Sequence, residues 1–310
     1  MPSTVHMATI DDDQRHIPGP DSPLLWNESF WFAFYDPREE LGVTVRLGMY
    51  PNKQEGNLYL HFVQRGEVVH SLIDLRAPLP AREEGRLGIG GMTVEWEQPL
   101  ERFRLRYQHA AHALDVAWQG FSPTYLYPAV GPASDETPGA GRQTGHIEHA
   151  GVVTGTMTVA GTAYAIDCLG HRDHSWGAER DWNKLPKWDY LSGEIGKDFW
   201  FNAVRVSLGT PDNVIELFLG GLWDGREVLG LADVKMDVRT TDGGTRQLGV
   251  DLHLVDERQR EHHIVGEQVL VIAPTQFGRT WCKDGFTRYR YGDRVGYGIL
   301  EHAYIERNGP

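Results

Sequence analysis

Short runs of β-branched and aromatic residues, each closed by Gly, Pro or Asn, recur along almost the whole chain, and no eleven-residue window carries a 3.6-residue apolar period. SFWFAFY, VTVRLGMY, NLYLHFV, EVVHSLI, MTVEW, RFRLRY and LDVAW follow one another at the spacing of a β-meander from Trp26 onward. VTVRL, RFRLR and LDVAW alternate apolar and polar residues, as antiparallel strands with one buried face do. Such a chain is restricted to antiparallel β architecture with little helix. At 310 residues it exceeds the size at which one core usually stops growing, so two bodies are expected.

The texture divides the chain. Residues 1–24 hold Pro2, Pro18, Pro20, Pro23 and the run Asp11 to Asp13, and read as an extended arm with His6 and His16 in solvent. Residues 25–126 form a first β domain. The Pro- and Gly-rich stretch 127–145 reads as a linker, and strands resume over 146–310 as a second β domain. Phe30-Trp31-Phe32 and Phe199-Trp200-Phe201 open comparable series of strands, which points to duplication of one β unit. The fold class expected is all-β: two antiparallel, barrel-like or sandwich domains packed side by side, with a site at a barrel mouth or domain junction.

Charge and cysteine content narrow the partners. Forty-three acidic against 30 basic residues give a formal charge of -13, and no basic cluster interrupts it, which disfavours nucleic acid and anionic membranes. Cys168 and Cys282 are too few for a disulfide framework or a thiolate metal site. No stretch is apolar and long enough to span a bilayer, and no leader pattern opens the sequence, so a cytoplasmic protein is expected.

Chemistry concentrates in Gly170 to Trp182, GHRDHSWGAERDW. On a strand, Arg172, His174 and Trp176 share one face and His171, Asp173 and Ser175 the other, and Gly177-Ala178 reads as a bulge that re-aims the following residues. Asp173 and His174 are the candidate acid and base. His171, Arg172, Trp176, Trp182 and Tyr190 are candidate substrate-binding residues, the indoles offering apolar walls and faces that steady positive charge. Two other readings compete for the motif: an ion pair between Asp173 and Arg180 with His174 a core residue, and a metal held by His171 and His174. The i, i+3 spacing of His171 with His174, repeated in His146 and His149, diverges on a strand, so no metal and no cofactor is expected. Glu148 and Glu301 are further strand carboxylates of open role, while His262 and His263 are expected in solvent.

The block His171-Arg-Asp-His-Ser-Trp-Gly, the strand–linker–strand restart before it and Gly296-Tyr-Gly-Ile-Leu-Glu near the end resemble the AttH-like, lipocalin-related two-domain proteins. That superfamily includes the carotenoid 1,2-hydratases and natural-product cyclases. The resemblance implies two lipocalin-like bodies and an active-site role for His174 and Trp176. The hydratases carry an acidic Tyr-x-Asp element further on; here Phe201-Asn202-Ala203 stands in its place, so carotenoid hydration itself is not implied.

The function expected is therefore acid–base catalysis on a hydrophobic small molecule such as a terpenoid, steroid or aromatic compound: hydration, dehydration, isomerisation or cyclisation. The alternative is a non-catalytic lipocalin-like carrier of such a ligand, which needs apolar walls and few anchors rather than this density of ionisable groups. A carbohydrate-active β-sandwich, prompted by ten Trp, lacks carboxylates at glycosidase spacing.

Overall fold

A computed structural model describes residues 6–127, 144–184, 187–210 and 213–305. Strands account for nearly all regular structure; among the described residues helix is confined to 3-10 turns at Asp11–Asp13, Pro51–Lys53 and Asp242–Gly244. The chain separates into two bodies, one ending at Arg180 and the other beginning at Asp181.

In the first body one antiparallel sheet runs, edge to edge, through Glu67–Pro78, Glu55–Gln64, Leu41–Tyr50, Trp26–Asp36, Thr162–Glu179, Gly145–Val159, His112–Gly120, Arg102–His109, Met92–Gln98 and Arg86–Ile89. Strand alternation sends Phe30, Phe32 and Phe34 to one face, where they join Val43, Val45, Leu60 and Phe62 from one half of the sheet and Val94, Phe103, Leu105 and Trp118 from the other. The sheet thus curls around a core of its own side chains. In the second body, Glu261–Val271, Arg246–Asp256, Val228–Thr241, Asn213–Trp223, Trp200–Thr210, Lys187–Glu194, Arg294–Ile305 and Thr280–Tyr291 pair in that order, and the first pairs again with the last, closing a barrel. The two Phe-Trp-Phe segments differ in place: Phe30 to Phe32 lies in the first strand of a four-strand meander, Trp26 to Pro78, whereas Trp200–Thr210 is the second strand of a six-strand meander, Lys187 to Val271.

Three expectations about the chain's organisation are corrected. The strands Gly145–Val159 and Thr162–Glu179, assigned from sequence to the second domain, belong to the first sheet, and the motif strand fills its middle between Trp26–Asp36 and Gly145–Val159. Tyr125 pairs with Glu148 and Leu126 with Ile147, so the residues flanking the stretch read as a linker are neighbours in one sheet; residues 128–143 of it lie outside the described residues. Pro and Gly mark a long connection whether or not a domain ends there. The N-terminal segment is likewise no surface arm. His6–Met7 pairs with Tyr125–Leu126, Asp12 and Asp13 are buried, and His16 is packed against the motif strand.

Candidate active site

The motif strand is fixed on both sides by continuous pairing. Asp173 lies opposite Glu148 on one neighbour and Trp31 on the other; Arg172 lies opposite His149 and Phe32. The ladder slips between Trp176 and Glu179, where Gly177 takes φ +88°, the bulge that the Gly-Ala pair implies. Two polar clusters form back to back on this strand.

The first cluster faces the core. Arg172 donates from Nη1 to Asp13 Oδ1 (2.8 Å), and its guanidinium lies 4.2 Å over the Phe103 ring and 5.3 Å from that of Trp118. The Nε and Nη2 atoms of Arg172 find no hydrogen-bond partner among the described residues, so the aromatic faces take their place. His174 donates from Nε2 to Glu28 Oε1 (3.0 Å), which also receives His16 Nδ1 (2.8 Å) and the His16 backbone N–H (2.9 Å). The His174 ring stacks on Phe30 at 3.9 Å, and His16 stacks on Trp176 at 4.3 Å. Burial raises the Glu28 carboxyl, but the two imidazole hydrogen bonds outweigh it and hold it at about 2. Burial also lowers the His174 pKa, against the pull of Glu28. Arg172 and His174 are sealed from solvent, so this cluster fills part of the interior of the curled first sheet.

The second cluster lies on the opposite face. Glu148 accepts His146 Nε2 at 2.6 Å on one oxygen and His171 Nε2 at 2.8 Å on the other. Burial again raises the carboxyl, yet the charge and hydrogen bonds of His146 and His171 bring it to about 2. Glu148 in turn lifts His146 above its ordinary value, although burial alone would lower it. The Tyr127 ring stacks on His146 at 4.5 Å. Asp173 stands beside this chain, with one side-chain ligand atom each from His146, Glu148 and Asp173 lying within 4.8 Å of one another. Its half-buried carboxyl accepts no hydrogen bond from the described residues. Desolvation, only partly offset by His146 and reinforced by Glu148, pushes it up to about 6. Arg46, bonded to Asn57 (2.7 Å) and Asn27 (3.3 Å), and Arg180, 3.5 Å from Ser175 Oγ, act on Asp173 through charge alone. The Asp173–Arg180 ion pair weighed from sequence is not formed.

The structure therefore brings His171 together with Asp173, and Arg172 with His174 and Trp176, as alternation requires. It separates Asp173 from His174: the two residues expected to serve as acid and base point to opposite faces and share no site. His171 and His174 diverge for the same reason and cannot hold one ion. Trp182 and Tyr190 lie in the second body, Trp182 stacked on Phe277 at 4.2 Å and Tyr190 buried next to Asp189, which binds Arg205 (2.6 Å) and His302 (2.5 Å). Glu301 there accepts Trp188 Nε1. The role of His146 was missed, although its signal is in the sequence: in His146-Ile-Glu148 the i, i+2 spacing on a strand puts imidazole and carboxylate on one face. Asp13, His16 and Glu28 had no local signal, since their partners lie more than a hundred residues away or in a segment that reads as an arm. Among the described residues, three sets have ligand atoms close enough for a metal: His146, Glu148 and Asp173; His16, Glu28 and His174; and Asp251, His253 and His263.

A family model described as a domain of unknown function, DUF7064, matches residues 9–305. The chain belongs to the DUF7064 family. No curated protein matches it by sequence. Among solved structures it is similar to an AttH-type protein of Nitrosomonas europaea (TM-score 0.63, 13% identity, 89% of this chain and 91% of that one). It is also similar to kievitone hydratase of Nectria haematococca (TM-score 0.63, 14% identity, 96% and 93%). A third similar structure is CghA (TM-score 0.61, 11% identity, 96% and 95%). At these identities the likeness shows the fold, which is the AttH-like, lipocalin-related one that the sequence block implied.

Proposed function

We propose that this protein is an acid–base enzyme acting on a hydrophobic small molecule of the terpenoid, steroid or aromatic class, and that Asp173 and His146 are its proton-transferring pair. The observation that carries the reading is the Asp173 carboxyl: half-buried, without a hydrogen-bond partner among the described residues, and raised to about 6 beside an imidazole raised by Glu148. A carboxyl raised to about 6 beside an imidazole raised above its ordinary value sets a base next to an acid, which is what general acid–base chemistry uses. Between pH of about 6 and the raised value of His146, the carboxyl is ionised and the imidazole charged.

In that state His146 gives the proton of its free ring nitrogen, Nδ1, to an alkene carbon. A water oxygen bonds the neighbouring carbon, and Asp173 takes the proton that water loses. Return of that proton from Asp173 to His146 resets the pair, and dehydration runs the same steps backward. For an isomerisation, Asp173 takes a proton from one carbon while His146 supplies another. Glu148 holds His146 and His171 in orientation and stabilises the imidazolium, and the Tyr127 and Trp31 rings supply aromatic surface near the pair. The fold shared with a hydratase supports the reaction class. His174 and Trp176 belong in this reading to the scaffold behind the site.

The test is to incubate the protein with a panel of isoprenoid, steroid and phenolic alkenes and tertiary alcohols. Products are followed by mass spectrometry for gain or loss of water, or for isomers of unchanged mass. Conversion that falls by about a hundredfold or more in Asp173→Asn and in His146→Gln, with melting retained, supports the assignment. Tight binding with no conversion would replace it with the carrier reading, and conversion untouched by either substitution would remove the pair from the chemistry.

A further inference from the structure

The second body carries a group of side chains that the acid–base reading does not use. Asp251 and His253 lie two residues apart on Arg246–Asp256 and so share a face; His263, on Glu261–Val271, is the direct cross-strand partner of His253. The two imidazole rings stack at 4.2 Å with planes 8° apart. Both Nε2 atoms converge on one oxygen: His263 Nε2 lies 3.0 Å and His253 Nε2 3.1 Å from Asp251 Oδ1. All three side chains are about half exposed, so an ion reaches them from solvent.

From this geometry we infer that Asp251, His253 and His263 form a binding site for a divalent cation of the zinc class, with at least one coordination position left for water or an outside ligand. Ligand atoms 2.0–2.1 Å from one ion at angles of about 90–110° stand about 2.9–3.4 Å from one another, and both imidazole-to-carboxylate separations fall in that range. Two imidazoles and one carboxylate select zinc, copper or nickel over magnesium and calcium, which take oxygen donors. The ligands sit on a two-strand ladder rather than a loop, so their spacing is set by backbone register. On the adjoining strand Asp237 is opposite Asp251 and Lys235 opposite His253, one charge of each sign, which leaves the carboxylate of Asp251 to set the local potential. An ion here clamps Arg246–Asp256 to Glu261–Val271 on the outer face of the barrel, with water or an outside ligand in the remaining position. The sequence hid the site because Asp251-x-His253 and His263 become neighbours only across a hairpin.

The experiment is calorimetric titration of tag-free, chelator-stripped full-length protein with zinc chloride, with magnesium chloride as the comparison and imidazole nitrogens followed by NMR. One equivalent of zinc is expected to bind, raising Tm and shifting His253 and His263, while magnesium does neither. His263→Gln and Asp251→Asn each weaken zinc binding by about 100-fold or more, and His146→Gln leaves it unchanged. Absence of zinc uptake at micromolar concentration would overturn the inference. So would uptake that survives both His263→Gln and Asp251→Asn, which would assign the ion to one of the two clusters of the first body.

Discussion

Replacing Asp173 by Asn removes one titratable proton and almost no volume, so it isolates what the carboxyl's surroundings do to it. The folded protein holds this group at about 6 against an ordinary 3.8, because desolvation and Glu148 disfavour the charge more than His146, Arg46 and Arg180 favour it. At 1.36 kcal/mol per pH unit, ionising Asp173 in the folded state costs up to about 3 kcal/mol of stability. A raised carboxyl binds its proton more tightly folded than unfolded. Its stabilising contribution is therefore full below about 4, declines as pH rises toward about 6, and is gone above. Wild type and Asp173→Asn are expected to melt together near pH 4 and to separate as pH rises. By pH 8 the variant leads by up to about 3 kcal/mol, or about 6–12 °C in a body of this size. Glu28 and Glu148, both at about 2, stay ionised through that window and do not contribute to the difference. The assay is a paired set of thermal melts between pH 4 and 8, with turnover measured on the same samples. Parallel melting curves across the range would show an ordinary carboxyl and refute the assignment of Asp173 as a tuned proton carrier. A variant both more stable at pH 8 and inactive is the signature of a group kept for chemistry at the expense of the fold.

Glu148→Gln takes the shared acceptor from His146 and His171: a stability loss of about 3 kcal/mol at pH 7 is expected, together with a fall in the His146 pKa followed by NMR. Because Glu148 is depressed, the stability it contributes is present above its ordinary 4.5 and disappears as pH falls toward 2, so acid melts of wild type and Glu148→Gln should converge. Asp13→Asn leaves the buried Arg172 guanidinium without its counter-charge and is expected to cost about 3–5 kcal/mol, while turnover per folded molecule holds. His174→Ala opens a cavity against Phe30 and should lower Tm without moving the pH profile of catalysis; a shifted profile with unchanged Tm would place His174 in the chemistry after all.

Local signals carried a large share of this protein. Alternation and turn residues are properties of neighbouring positions, so the all-β class, the succession of meander strands, the bulge after Trp176 and the split of Arg172, His174 and Trp176 from His171 and Asp173 were legible in the sequence. What belongs to distant pairing was not. A Gly- and Pro-rich stretch looks the same within a domain as between two, and only the register of Tyr125 with Glu148 and of Asp173 with Trp31 shows that the motif strand completes the first sheet. The same holds for partners. Asp13 and Arg172 are 159 residues apart, and His174 and Glu28 are 146 apart, so which charges neutralise one another was decided by the closing of the sheet. Protonation followed from that decision: two carboxylates that receive imidazole hydrogen bonds fell to about 2, whereas Asp173, with the same ordinary chemistry and no such bond, was left at about 6.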